Sequence, residues 1–344
     1  MKQTKTIFRK IACATAGVVM GVGIGIPGAL AVTPYVGTTT GGTAVNGTTY
    51  FNFTTLAPNP VTSATINGAL FTTPANNTTV GTGVFNPFLR LQNTGPRGDT
   101  GYSCGTNDGC EEGFNTDSKI VGGHQILDDK PSLWTHSLLL SNIPTVTING
   151  QTYRQFFLDI NEPNNSKDKF LSLDQFKLFV GSVGDLDKYD FTAEKLTNST
   201  DPTKIAQKIF DMDMGKKNGT AVNTTVALNY DLNAGSGKGV DLVVSVPESA
   251  FQNLGSAQYL YLYSKFGTTG NVTNGSPVSG ALPPGDYGSS PTGGFEEWSH
   301  RGGIPEPSTV LLLGGGLLGF LLLRRRQFAP REVFPLVCRG ACAP

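Results

Sequence analysis

Oxygen-bearing side chains crowd three stretches of the chain, and each stretch could hold a hard cation. Asp159, Asn161, Asn164 and Asp168 fall where RQFFLDI runs into DINEPNNSKDKF, and Asp174 follows in LSLD. Extracellular Ca²⁺ modules use carboxylate- and carbonyl-rich loops of this kind. The loop departs from the EF-hand pattern, with no glycine at its sixth position and no glutamate at its twelfth. The candidate Ca²⁺ set is therefore Asp159, Asn161, Asp168 and Asp174, and Ca²⁺ is the one cofactor candidate. Asp185, Asp187 and Asp190 form a second group; Asp211, Asp213 and Asn218 form a third. The competing account of all three is turn chemistry, in which short acidic side chains accept from loop amides.

A second chemistry is stacking against sugar rings. In QYLYLYSKF, Tyr259, Tyr261 and Tyr263 recur with the strand period of two and would share one face. Such a strip, with Trp134 and Trp298 as further candidates, could form a carbohydrate platform. Cross-strand packing is the competing use of the same rings. Catalytic constellations are thin. His124, His136 and His300 show no metal-binding spacing, and no G-x-S-x-G elbow occurs. GSGKG at 235–239 lacks the spacing of a phosphate-binding loop and the hydroxyl residue after its lysine. The chain reads as a non-enzyme, with no catalytic residue assigned.

The elements that must carry these residues are strands. Leu260 and Leu262 oppose the tyrosines and are core candidates. Leu242, Val244 and Val246 share a face, as do Val226, Leu228, Tyr230 and Leu232. So do Phe156, Leu158 and Ile160, then Phe176, Leu178 and Val180, then Trp134, His136, Leu138 and Leu140. Short alternating strands between Gly, Asn and Asp turns predict a mostly β ectodomain, an antiparallel β-sandwich or jelly roll. Only 192–210 could hold a helix. Residues 32–80 are rich in Thr, Asn and Gly and read as a loosely ordered or edge-strand segment. Residues 81–279 form the β ectodomain, and 280–304 read as a Gly/Pro/Ser-rich linker in which Phe295 to Trp298 could dock back. Residues 32–305 carry 17 basic and 24 acidic side chains, a net of −7. That charge argues against nucleic acid as a partner.

Both ends read as processing signals. Lys2, Lys5, Arg9 and Lys10 precede an apolar stretch, and Ala29-Leu30-Ala31 forms an A-x-A site, so 1–31 is a signal peptide for a signal peptidase. Cys104 and Cys110, six apart in an exported domain, suggest a local disulfide. Residues 309–323 are apolar. As a helix they span about 22 Å, short of the ~30 Å hydrocarbon core. Arg324, Arg325 and Arg326 form a stop-transfer cluster. Beyond them, 327–344 read as a disordered tail, and its Cys338 and Cys342 lack companion ligands.

Pro305-Glu306-Pro307, the glycine-broken span and the arginine cluster stand in that order, opposite a signal peptide. Together they resemble the PEP-CTERM sorting signal, here 305–326. The resemblance implies recognition by an exosortase, a membrane-embedded cysteine peptidase-like enzyme that processes the chain near Pro305 to Pro307. It implies export, transient inner-membrane association through the C-terminal helix, and release to the cell surface or extracellular matrix. The segments GTGVFNPFLRLQ, EEGFNTD, LSLDQFKLFVGS and GGFEEWS resemble ectodomains of other PEP-CTERM proteins over roughly 80–300, which implies an architecture and no particular ligand. The expected function is a non-enzymatic surface or biofilm-matrix protein. The alternatives are a carbohydrate-binding module on exopolysaccharide and a secreted hydrolase.

Overall fold

The computed structural model describes residues 32–74, 86–91, 111–118, 133–163, 168–190, 192–232, 239–276, 278–288 and 294–302. The described chain is almost all strand, joined by turns and short 3₁₀ segments. Four hairpins turn on Asn-Gly: Asn46-Gly47, Asn67-Gly68, Asn149-Gly150 and Asn218-Gly219, with positive φ at both residues of each. That backbone matches the right-handed twist of the flanking strands, and Asn and Gly are the residues that tolerate it.

Two sheets dominate. The larger runs Thr43–Val45, Thr48–Asn52, Asn223–Asn229, Phe170–Gly181, Ile205–Asp211, Lys195–Thr197 and Lys188–Asp190. Tyr259–Phe266 pairs with the other edge of Phe170–Gly181 and carries Glu111–Phe114 and Leu138–Leu139 in turn. The second sheet runs Ser63–Ile66, Ala69–Thr72, Leu242–Pro247, Gln151–Asp159, Glu296–His300 and Leu89–Leu91, with Thr145–Ile148 also on Gln151–Asp159. The long strand Phe170–Gly181 organises the first sheet. Residues 170–173 pair with Asn223–Asn229 and 177–181 with Ile205–Asp211.

The apolar faces of both sheets meet in one cluster. Phe176 is its hub: its ring meets Trp298 at 5.1 Å, Phe156 at 5.9 Å, Phe210 at 6.0 Å and Phe71 at 6.3 Å between centroids. Phe71, Phe156 and Trp298 come from the second sheet, so the hub ties the two sheets together. Each fully buried aromatic contributes roughly 2–3 kcal/mol of apolar transfer. Two smaller clusters lie apart from this core. One holds Phe114, Phe179, Leu186, Tyr189, Tyr261 and Tyr263; the other holds Phe170, Val272, Leu282 and Tyr287.

The architecture corrects several expectations. The antiparallel β-sandwich or jelly roll does not form: Asn223–Asn229 runs parallel to Thr48–Asn52, so the larger sheet is mixed, and no sheet closes on itself. The segment 192–210 is not a helix: Lys195–Thr197 and Ile205–Asp211 are strands that pair with each other, and Ile205–Asp211 also pairs with Phe170–Gly181, so the sheet takes up their backbone hydrogen bonds. Of the two readings of 32–80, the described residues 32–74 follow the edge-strand one, with Thr43–Val45 and Ser63–Ile66 at sheet ends. Phe51, Phe53, Ile66 and Phe71 are fully buried, and the segment supplies strands to both sheets. Within 280–304, the described residues Leu282, Tyr287 and Trp298 are completely enclosed, so 280–288 and 294–302 pack on the body as the docking alternative for Phe295 to Trp298 anticipates.

Among the described residues no helix is long and apolar enough to cross a membrane. The expected transmembrane helix at 309–323, and the transient inner-membrane association through it, find no support among the described residues, and 309–323 lie outside them. Cys104 and Cys110 also lie outside them. No disulfide is present among the described residues, so the expected Cys104–Cys110 bridge finds no support there.

Candidate functional site

The tyrosine strip sits on its own strand with the expected alternation: Leu260 and Leu262 enter the main core and the tyrosines face away from it. That second face is covered. Tyr261 and Tyr263 are 0% and 1% exposed, and only Tyr259 is half-buried. Tyr261 Oη donates to the Val183 carbonyl at 2.5 Å, and Tyr263 Oη donates to Glu112 Oε2 at 2.7 Å. Tyr189 stacks on Tyr263 at 4.6 Å and 14°. The carbohydrate platform of Tyr259, Tyr261 and Tyr263 is thus a packed layer, because the Lys188–Asp190 hairpin folds over it.

Two residues of the candidate Ca²⁺ set, Asp159 and Asp174, are buried. Asp174 is buried and already saturated. It accepts from Ser172 Oγ and the Thr268 amide at 2.8 Å each, from Thr225 Oγ1 at 3.1 Å and from Thr269 Oγ1 at 3.3 Å. Asp159 is enclosed at the end of its strand, and the Asn161 carbonyl accepts from the Gly294 amide. Among the described residues no group of three His, Cys, Asp or Glu is arranged to hold a metal ion.

The other acidic groups do turn chemistry. Asp187 accepts from the Ser199 amide and hydroxyl, Asp190 from the Thr192 and Ala193 amides, and Asp213 from the Thr224 amide. Asp211 joins Lys177, Lys208 and Glu194 in a charge-balanced quartet. Lys177 Nζ lies 2.5 Å from Glu194 and Lys208 Nζ 2.8 Å from Asp211. His136 and His300 meet at Phe88: the His136 amide donates to the Phe88 carbonyl, and the Phe88 ring lies 5.9 Å from that of His300. His124 and Asn164 lie outside the described residues.

What the fold does gather is a set of glutamates that the spacing alone did not single out. Trp298 belongs to the main core, so Glu296, two residues earlier on the same strand, projects to the same interior face. Glu111 lies directly opposite the core residue Phe266. Glu162 follows Ile160 by two residues, just past the end of Gln151–Asp159. All three are at most 3% exposed. Both carboxylate oxygens of Glu296 and Oε2 of Glu162 are enclosed without a hydrogen-bond partner. Burial, then the neighbouring Glu111 and Glu162, hold the Glu296 carboxyl well above the usual range. Burial, then Glu111, Asp168 and Asp286, push up that of Glu162. Carboxyl groups so placed cannot all ionise, and those without a partner keep their protons.

On the opposite face of the same strands lies a cation. Arg90 stands between the core residues Leu89 and Leu91 and is paired across from Glu297. Its guanidinium lies 3.7 Å over the Phe295 ring and 5.3 Å from Trp134. The Thr135 hydroxyl fixes its backbone, accepting from the Arg90 amide and donating to its carbonyl. Phe295 and Trp134 are each half-buried, whereas Trp298 is closed to any ligand. The detectable sequence signal for both faces was the alternation in FEEWSH: once Trp298 is core, Glu296 must be enclosed and Phe295 must turn outward.

The chain continues from this strand into a sorting motif. Residues 303–326 match the PEP-CTERM protein-sorting motif. A PEP-CTERM sorting motif is therefore present, containing Pro305, Glu306, Pro307 and the cluster Arg324, Arg325 and Arg326. It begins two residues after Arg301, whose amide still donates to the Gln155 carbonyl of the second sheet. No curated protein and no solved structure matches the chain.

Proposed function

We propose that this chain is a non-enzymatic exported protein of the cell surface or extracellular matrix, delivered by an exosortase that acts on its PEP-CTERM motif. The observation that carries the reading is the position of that motif. It starts two residues behind Arg301, just past the strand Glu296–His300, so a cut near Pro305 to Pro307 severs the chain outside the last described strand and leaves every described sheet intact. The other end supports the same reading. Cleavage after Ala31 would leave Val32 as the first residue, and Val32 packs against the main core with its amide donating to Gln207 Oε1 at 2.6 Å. The body so delimited is a β unit whose acidic loops are spent on their own turns, which suits a rigid matrix component.

The test is processing in a host that contains an exosortase. Intact mass of the wild type should end near Pro305 to Pro307, and Glu306→Ala should accumulate the longer chain. Equal processing of the two would sink the reading. A carbohydrate contact is the second reading, and the half-buried rings of Trp134 and Phe295 around Arg90 favour it over the tyrosine strip. Trp134→Ala should then abolish retention on an exopolysaccharide matrix, and unchanged retention would remove this reading.

A further inference from the structure

The strand Glu296–His300 holds an unusual place. It is the last described strand, yet it lies inside its sheet, paired with Gln151–Asp159 on one side and Leu89–Leu91 on the other. Its Trp298 is fully buried, with Nε1 donating to Ser264 Oγ at 3.0 Å across to the other sheet. Ser299 Oγ donates to the Asn86 carbonyl at 2.8 Å. These contacts clamp the strand at its centre. Its leading end, by contrast, carries Glu296, whose two oxygens are enclosed without a well-formed hydrogen bond, beside the Glu111 carboxyl and the Asn161 backbone. A neutral carboxyl can occupy such a place; an ionised one cannot without water or a cation.

We propose that Glu296–His300 is a pH-sensitive latch: it is seated while Glu296 and Glu162 carry protons and loosens from its leading end when they lose them. The titratable groups that face this end all work in the same direction, against a single opposing hydrogen bond from the Asn161 backbone. Glu111 comes from the larger sheet, Glu162 and Asp168 from the two sides of 164–167, and Asp286 from the Gly285–Asp286 strand; all are acidic. The adjoining strand's cation, Arg90, alternates to the opposite face and stacks on Phe295, so it does not neutralise the glutamates. The trailing end titrates in the opposite sense. His300 is buried beside His136, and both effects favour its neutral form. The strand is thus seated best when both of its ends are uncharged, and either alkali or acid works against it. Because the sorting motif begins two residues beyond Arg301, the seating of this strand sets how far the motif can extend from the body. That last consequence rests on the sorting reading above; the latch does not.

Trp298 reports on the latch directly, since the chain has two tryptophans. Trp134→Phe leaves Trp298 as the sole indole. Asp213→Asn in the same chain removes another carboxyl, half-buried, that titrates near neutrality. In this background, acrylamide quenching of Trp298 should rise about threefold between pH 6 and pH 9.5 while far-ultraviolet circular dichroism stays constant. Adding Glu296→Gln should leave quenching flat over the same range. Flat quenching with Glu296 present, or an equal rise with Glu296→Gln, overturns the proposal. If Glu296→Gln fails to fold, Glu162→Gln serves in its place and should at least halve the rise; an undiminished rise overturns the proposal. Processing plays no part in this measurement, so failure of the latch and failure of the sorting reading are told apart.

Discussion

Asp213 offers a quantitative check on how burial and charge set the stability of this fold. Its carboxylate accepts from the Thr224 amide at 2.8 Å, its own amide donates to Asp211 Oδ1 at 3.0 Å, and Asp211 is also its closest like charge. Burial first, and the Asp211 charge second, push the Asp213 carboxyl from its ordinary 3.8 up to about 7. The folded chain therefore binds this proton more tightly than the unfolded chain. Stability from this group is greatest below pH 3.8, falls as pH rises through the interval up to about 7, and is level above it. Complete enclosure would make the loss about 4 kcal/mol, at ~1.4 kcal/mol per tenfold change in proton affinity. Asp213 keeps part of its surface in water, so screening lowers the figure to about 2 kcal/mol. Asp213→Asn keeps an oxygen for the Thr224 amide and removes the charge. In urea unfolding, the variant should gain about 1.5 kcal/mol on the wild type between pH 5 and pH 8. A gap that does not change with pH, or a wild type that is the more stable at pH 8, would refute the reasoning.

Phe176→Ala removes the ring that joins the two sheets and should lower unfolding free energy by about 3–5 kcal/mol, read from chemical denaturation. A loss below ~1 kcal/mol would mean that the hub is not shared between sheets. Tyr263→Phe takes the hydroxyl from buried Glu112 and leaves Lys265, at 3.4 Å, as its remaining charged neighbour; the cost should be about 1–2 kcal/mol by the same assay. Gly285→Ala would drive a Cβ into the Phe170 ring. It should loosen the Phe170–Tyr287 stack, seen at 5.1 Å, and be detected as faster amide exchange at Tyr287.

Much of the strand content was legible because alternation is a local property. The faces read for Leu242, Val244 and Val246, for Phe156, Leu158 and Ile160, and for Phe176, Leu178 and Val180 are core faces. Leu232 breaks its series: the strand ends at Asn229, a 3₁₀ turn follows, and Leu232 is exposed. The four Asn-Gly hairpins were also readable in principle, since the dipeptide itself carries the turn geometry. The segment 32–80 left two readings open, loose order or edge strands, because Thr, Asn and Gly carry little apolar alternation. Its phenylalanines find their place only against strands more than a hundred residues away. The site residues were less accessible still. Charge statistics place glutamate in water, and nothing local to Glu111 or Glu162 marks them as enclosed.

The sorting motif at 303–326 and the strand periodicities are properties of short windows, and the amino-acid sequence alone determined them. Pairing register is not such a property. It decided that Tyr261 and Tyr263 would be covered by the Lys188–Asp190 hairpin, and that the second sheet would admit its last strand between two earlier ones. It also brought three glutamates, far apart along the chain, to one enclosed end of the core. The reason is that a side chain's chemistry depends on how much water it keeps. In this protein, distant strands decide that.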